Sequence, residues 1–112
     1  WSSDVCSSDL CVLQTRLGRH GTALTGEGKA HVKNARYARD EAPLDASCSC
    51  PVCARHSRGY VRHLVQTGEP TAARLVSLHN VAWTLRFMDR MRNSLIDGTF
   101  ESFRSGVLET WA

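Results

Sequence analysis

Cys48, Cys50 and Cys53 place three thiols within six residues of a 112-residue chain. No other feature restricts the fold so strongly. A chain of this length forms one domain at most. It buries a limited share of its surface, so a metal staple is a natural supplement to its core. The five cysteines, at 6, 11, 48, 50 and 53, are odd in number and unevenly spread, which suits disulfides poorly. Thiolate ligation of a metal in a reducing compartment accounts for the crowding better. A structural zinc ion takes four ligands in a tetrahedron, usually Cys and His. Two thiolates two positions apart reach one metal when the backbone between them turns tightly. Pro51 stiffens that turn, and Cys53 would come from the start of the helix that follows. Three thiolates make a poor Lewis acid, and the nearest carboxylate is Asp45, so the site reads as structural rather than catalytic. The lack of a fourth clustered cysteine argues against an iron–sulfur cluster.

Five histidines compete for the fourth position. His20 and His31 lie upstream, in a loop and a hairpin. His56 follows Cys53 by three residues, which crowds four ligands into nine. His63 lies ten residues past Cys53 and could point back. His79 sits on a later helix, and a helical hairpin turning at Gly68 could return it to the thiols. Spacing favours His79 and leaves His56 and His63 open.

The remaining periodicities outline a mostly helical chain with one short β-hairpin. Cys11-Val12-Leu13 suits the end of a buried strand. Thr15 to Gly21, with two glycines and two arginines, reads as a loop. Thr22–Thr25 and His31–Asn34 flank the glycine-rich stretch from Gly26 to Lys29, the pattern of a hairpin. Asn34 to Asp45 is charged, contains Pro43 and reads as an extended connection. Ala54 to Thr67 has helical spacing with Tyr60, Val61 and Leu64 inward and Arg55, Arg58 and Arg62 on the opposite face. Gly68 stops that helix, and Pro70 and Thr71 open the next. Leu75, Leu78, Ala82, Leu85, Met88, Met91 and Leu95 then step by three and four along one apolar stripe. Asp97-Gly98 ends it. Thr99 caps a last short helix holding Phe100, Phe103 and Leu108.

Charge is uneven. Between Cys11 and Arg62 nine Lys/Arg face four Asp/Glu, whereas from His63 onward the count is five against five. The basic half suits a polyanion such as RNA, although charge alone fits a solvated basic surface better, since its sign names no target. No apolar run reaches the length of a membrane span and no signal peptide opens the chain, so a soluble, cytoplasmic protein is expected. Residues 1–10, WSSDVCSSDL, lack apolar periodicity. Asp4 to Leu10 looks like the translation of a common sequencing adapter, so 1–10 reads as non-native sequence and Cys6 is no ligand candidate.

Several segments resemble the C-terminal end of bacterial tRNA-guanine transglycosylase, also called queuine tRNA-ribosyltransferase. They are Cys11-Val12-Leu13-Gln14-Thr15-Arg16, Arg19-His20-Gly21-Thr22, Asn34-Ala35-Arg36-Tyr37 and Pro43-Leu44-Asp45 with the cysteine cluster. Ser57 to Leu64, His79-Asn80, Asn93-Ser94-Leu95-Ile96 and Gly98-Thr99-Phe100 complete the likeness, which runs from Cys11 to about Arg104. The resemblance implies a (β/α)8 TIM barrel with an inserted zinc subdomain, and one structural zinc on Cys48, Cys50, Cys53 and His79. It divides the chain into 11–42 (end of the barrel with an RNA-binding loop and the hairpin), 43–80 (zinc subdomain) and 81–112 (C-terminal barrel helix and tail).

The family's reaction exchanges guanine at the wobble position of GUN-anticodon tRNAs for a 7-deazaguanine (preQ1 in bacteria) in queuosine biosynthesis. An aspartate attacks the ribose C1′, so a covalent RNA–enzyme intermediate splits the exchange into two steps. The anticodon-binding loop maps onto Thr15, Arg16, Leu17, Gly18 and Arg19. The arginines can fork onto phosphate or a guanine edge, and Gly18 would let backbone approach. The implied partners are the tRNA anticodon loop, the 7-deazaguanine base and, in the intact enzyme, a second copy of the chain.

Two departures matter. Leu10 stands where the family's nucleophilic aspartate precedes the cysteine, and Asp9 is one residue out of register. Gln14 replaces the usual proline. No catalytic residue is therefore expected in this chain, and the chain alone is expected to be inactive. A zinc-closed unit from about Pro43 to Gly98 is expected, with the segment before it poorly anchored for lack of neighbouring barrel strands. The alternatives are a stand-alone zinc module that binds RNA through Arg16, Arg19 and the Arg55/Arg58/Arg62 face, and a dimerisation module.

Overall fold

A computed structural model describes residues 13–111 of the chain. Residues 13–19 are helical (α1). Strands β1 (Thr22–Thr25) and β2 (Gly28–His31) follow, then a 3-10 turn at Ala35–Tyr37. Four helices complete the order: α2 (Pro51–Arg55), α3 (Arg58–Gln66), α4 (Pro70–Asp97) and α5 (Phe100–Trp111). The expected mostly helical chain with one hairpin is thus present. Of the strand end expected at Cys11-Val12-Leu13, Cys11 and Val12 lie outside the described residues, as does Leu10, while Leu13 opens α1 and is exposed rather than in a buried strand.

The hairpin is tighter than its sequence suggests. The strands pair antiparallel with Thr22 opposite His31 and Thr25 opposite Gly28, leaving only Gly26 and Glu27 as the loop. The second strand therefore starts at Gly28, not at His31. Thr25 fixes the turn: its hydroxyl donates to the Gly28 carbonyl at 2.7 Å and accepts from the Glu27 N–H at 3.2 Å. All four β1 residues are buried.

The outer edge of β1 would leave polar backbone unpaired inside the protein. Two adjacent α4 side chains close it. Asn80 accepts from the Leu24 N–H at 2.9 Å and donates to the Thr22 carbonyl at 2.9 Å. His79 Nε2 lies 2.7 Å from the Leu24 carbonyl. Asn80 also donates to the Gln14 carbonyl at 3.1 Å, which ties α1 to the same point. These bonds tie residues 14, 22 and 24 of the segment before the cysteines, expected to be poorly anchored, to α4.

The reading of 15–21 as a loop also fails, because 13–19 is helical. Gly18 shows how α1 fits. A Cβ there would lie 2.8 Å from the Ser77 backbone. Its glycine therefore serves close packing of α1 on α4.

The helix expected over Ala54 to Thr67 is two helices. The chain leaves α2 at His56 in an extended conformation, and the Ser57 side chain caps α3 by accepting from the Tyr60 N–H. The break rotates the inward face: Val61 is fully buried, whereas Tyr60 is 46% exposed and stacks on His56. It also dissolves the expected arginine face. Arg55 is exposed on α2. Arg58 pairs with Asp40 at 3.3 Å and donates to the Leu44 carbonyl. Arg62 donates to the Lys33 and Asn34 carbonyls. Arg58 and Arg62 thus clamp the 33–44 connection onto α3.

Gly68, with φ +74°, turns α3 back into α4. Pro70 occupies the first turn of α4 as expected, after Glu69 rather than Thr71 at the N-cap. At ~1.5 Å per residue a helix of this length runs about 42 Å, close to the 44 Å long axis of the molecule. Its buried face is Ala72, Val76, His79, Asn80 and Trp83. The expected stripe is offset from this face, and Leu78, Leu85, Met88 and Leu95 are exposed. Gly98 ends α4 as predicted, and α5 folds back so that Phe103 and Trp111 lie against Phe87 and Trp83.

Candidate metal centre

The core around the cysteines is small. Ala23, Val32, Leu44, Cys50, Val52, Val61 and Val76 form it, with Cys48, Cys53 and Leu75 packed alongside. Most of its members are Val or Ala, so little apolar area is buried.

Cys48, Cys50, Cys53 and His79 meet in this core, with their ligand atoms within 4.8 Å of one another. The local sequence drives the assembly. Cys50 is the N-cap of α2, Pro51 occupies its first turn, and the Cys50 sulfur accepts from the Cys53 N–H at 3.5 Å. The Cys48 sulfur accepts from the Cys50 N–H at 3.5 Å. The α3–α4 hairpin then returns His79, as its spacing suggests. Its Nδ1 lies 3.5 Å from the Cys50 sulfur and 3.3 Å from the Cys53 sulfur. Zinc–sulfur and zinc–nitrogen bonds of about 2.3 and 2.0 Å in a tetrahedron put S and N about 3.5 Å apart. The residues present therefore fit a zinc ion.

His79 is oriented for this. With Nε2 2.7 Å from the Leu24 carbonyl, it is the N–H of that nitrogen that donates, which leaves the Nδ1 lone pair for a metal. The structure thus decides among the histidines. His56 stacks on Tyr60 and His63 is exposed; neither joins the cluster.

Asp45 is no ligand. It is buried, and its carboxylate accepts from the Gly26 and Ser47 N–H groups, the Ser47 hydroxyl and the Trp83 indole N–H at 2.8–3.1 Å. Burial pushes its pKa up, but these donors outweigh burial and hold it below the usual carboxylate value. Among the described residues, the cluster offers four protein ligands, which would fill a tetrahedral zinc, and the Asp45 carboxylate is fully engaged by its four donors. That is the pattern of a structural site.

Burial pushes the Cys53 thiol up to about 12 and also raises Cys48, with the Cys50 thiol adding to both. Burial lowers His79. Before metal binds, Cys48 and Cys53 are therefore protonated and His79 neutral at pH 7. Zinc reverses the thiol state, because only thiolate binds. Zinc binding at pH 7 should release at least two protons, and affinity should fall about a hundred-fold or more per unit as pH drops. Below about 6.5, the ordinary histidine value, protonation of His79 in the unfolded chain steepens the loss. Calorimetry in buffers of different ionisation enthalpy measures the proton count; a count clearly below two would contradict this centre.

The anticodon-loop candidates lie apart from the thiols, on α1. Arg16 and Arg19 are exposed and three residues apart, Thr15 and Leu17 are half-buried, and Gly18 is buried. Three participants at the centre are not identified from sequence: the Leu24 carbonyl, Asn80 and the Asp45 carboxylate as an acceptor. Only the last has a signal, an Asp two residues before a Ser, the spacing of an Asx turn.

Among the described residues, no helix is long and apolar enough to cross a membrane.

Residues 8–112 match the family model described as queuine tRNA-ribosyltransferase. The queuine tRNA-ribosyltransferase of Sphingopyxis alaskensis is 48% identical over 95 residues, covering 85% of this chain and 25% of that protein. Its counterpart in Symbiobacterium thermophilum is 44% identical over 101 residues, 90% of this chain and 25% of that protein. That of a Synechococcus strain is 49% identical over 90 residues, 80% and 24% respectively. The chain spans about a quarter of the length of the curated relatives it matches.

Proposed function

Because the chain belongs to the queuine tRNA-ribosyltransferase family, we propose that it is the zinc-bearing C-terminal part of a tRNA-guanine transglycosylase. The intact enzyme would exchange guanine at the wobble position of GUN-anticodon tRNAs for the 7-deazaguanine preQ1. The observation that carries this reading is the Cys48/Cys50/Cys53/His79 set, assembled in a chain of 42–49% identity to that family. When bound, zinc supplies structure only. It holds the cysteine loop to α4, and through His79 and Asn80 that same point of α4 holds β1 and α1.

In this reading 11–42 closes a (β/α)8 barrel, 43–80 is the zinc subdomain and 81–112 is the last barrel helix and tail. Thr15, Arg16, Leu17, Gly18 and Arg19 form the anticodon-contacting segment, with Arg16 and Arg19 making the charged contacts and Gly18 seating α1 on α4. The setting is cytoplasmic. The chain alone does not catalyse, because Leu10 offers no nucleophilic atom for the ribose C1′.

Binding to an anticodon stem-loop tests the reading. The zinc-loaded chain should bind with strong salt dependence. Arg16→Ala with Arg19→Ala should weaken binding and flatten the salt slope by about 1.4, the share of two single-strand phosphate contacts. Incubation with labelled guanine and tRNA should give no exchange. Turnover by this chain alone, or an unchanged salt slope, would refute the corresponding part.

A second reading, an interaction module, draws on the exposed row Leu78, Val81, Leu85, Met88, Leu95 and Ile96 of α4. A row of this kind suits burial against another surface, and we assign it to the homodimer of the intact enzyme. Concentration-dependent sedimentation without RNA affinity would favour this reading over the first.

A further inference from the structure

We propose that Asp45 is the positioning residue of the zinc centre: its carboxylate locks the turn that delivers Cys48 and Cys53, and ties it to the hairpin and to α4. The proposal concerns the metal centre and stands apart from the reaction proposed above.

Asp45 touches the ligand loop in two ways. Its backbone carbonyl accepts from the Cys48 N–H at 3.1 Å, and its backbone N–H donates to the Cys53 sulfur. Two of the three sulfur ligands are thus set by the peptide groups of one residue. The carboxylate decides where those peptide groups sit. Oδ1 accepts from the Ser47 N–H at 3.0 Å and the Ser47 hydroxyl at 2.8 Å, closing the turn that leads into Cys48. Oδ2 accepts from the Gly26 N–H at 3.1 Å in the hairpin loop and from the Trp83 indole N–H at 3.1 Å on α4. Trp83 lies one helical turn beyond His79, the fourth ligand, so the carboxylate spans from the sulfur ligands to the helix that carries the nitrogen ligand.

The chemistry requires a carboxylate. All four donors are N–H or O–H groups, and an ionised carboxylate is acceptor-only with about four lone-pair sites. An amide of the same shape would set one NH2 against two of these donors in either orientation. Outer contacts that orient metal ligands commonly affect affinity by about 10–100-fold when lost.

The test compares wild-type chain, Asp45→Asn, Ser47→Ala and Val61→Ala. Ser47 is exposed, so its variant removes one donor to Oδ1 with little risk to the fold. Val61 is fully buried and its side chain carries no polar atom, so its variant removes packing from the same core without removing any hydrogen bond. Zinc affinity is read by competition with a chromophoric chelator, and ligand geometry by the visible spectrum of bound Co2+. Asp45→Asn is expected to weaken zinc about 10–100-fold and to alter the Co2+ bands. Ser47→Ala should do both to a smaller degree, and Val61→Ala should leave the bands unchanged. Wild-type affinity and bands in Asp45→Asn would overturn the proposal, as would altered bands in Val61→Ala matching those of Asp45→Asn. If Asp45→Asn does not fold with metal present, Ser47→Ala decides: wild-type affinity and bands there overturn it.

Discussion

Stripping the metal with a chelator is expected to abolish most of the helical circular dichroism of this chain, and one equivalent of zinc to restore it. The reason is the size of the core. Its buried members are chiefly Val and Ala, and a small domain's net stability is about 5–15 kcal/mol at best. A structural zinc contributes roughly 10–16 kcal/mol of apparent binding energy, more than such a core supplies. Metal binding and folding should therefore be one event. His79→Ala should act in the same direction, weakening zinc without abolishing its binding. It removes one ligand in four, roughly 3 kcal/mol or about a hundred-fold in zinc affinity. It also strips the Leu24 carbonyl of its donor in the interior. A chelated chain with native circular dichroism and native near-ultraviolet bands would refute the coupling.

The second large effect is expected at a residue that touches no metal. Asn80 is fully buried and makes three hydrogen bonds, to the Leu24 N–H and to the Thr22 and Gln14 carbonyls. Asn80→Ala leaves all three backbone groups unpaired in the interior. A buried unsatisfied group costs about 1–3 kcal/mol, so the loss should be at least about 3 kcal/mol, with partial relaxation as the only relief. Asn80→Asp should cost as much at neutral pH, because it keeps the acceptor for Leu24 but offers the two carbonyls no donor. Leu85→Ala is the informative contrast. Leu85 lies on the expected apolar stripe yet is 64% exposed, so its loss should change stability by less than about 0.5 kcal/mol. Urea midpoints of the zinc-loaded variants measure both. Comparable losses at Leu85 and Asn80 would mean that α4 buries the other face.

The same contrast marks what is legible in the sequence. The zinc ligands are readable because their chemistry is local and rare. Three thiols in six residues have little use except to share a metal, and the returning helix needs only a turn at Gly68. The hairpin is readable from its glycine-rich middle, though not its register, because Thr25 tightens the loop to two residues. The buried face of α4 is not readable from apolar spacing, because the helix buries the polar His79 and Asn80 among Ala72, Val76 and Trp83. His79 and Asn80 face inward to satisfy the edge of β1, and an apolar stripe scores such residues as outward. The break at His56 is hidden for a similar reason. The arginines on either side keep helical spacing, while the Ser57 cap that separates α2 from α3 is only one residue. The helical state of 13–19 is masked because Gly18 reads as a loop residue until Ser77 is seen against it. In each case a long-range partner decides what local pattern does not.

The hairpin, the cysteine loop and α4 all converge on the zinc centre, so the fold stands or falls with it. Zinc K-edge X-ray absorption on the purified, zinc-loaded chain tests the centre most directly. One zinc per chain is predicted, with three sulfur ligands at about 2.3 Å and one nitrogen at about 2.0 Å, the nitrogen shell vanishing in His79→Ala. A shell of sulfur alone, a shell dominated by nitrogen and oxygen, or a spectrum unmoved by that substitution would contradict it.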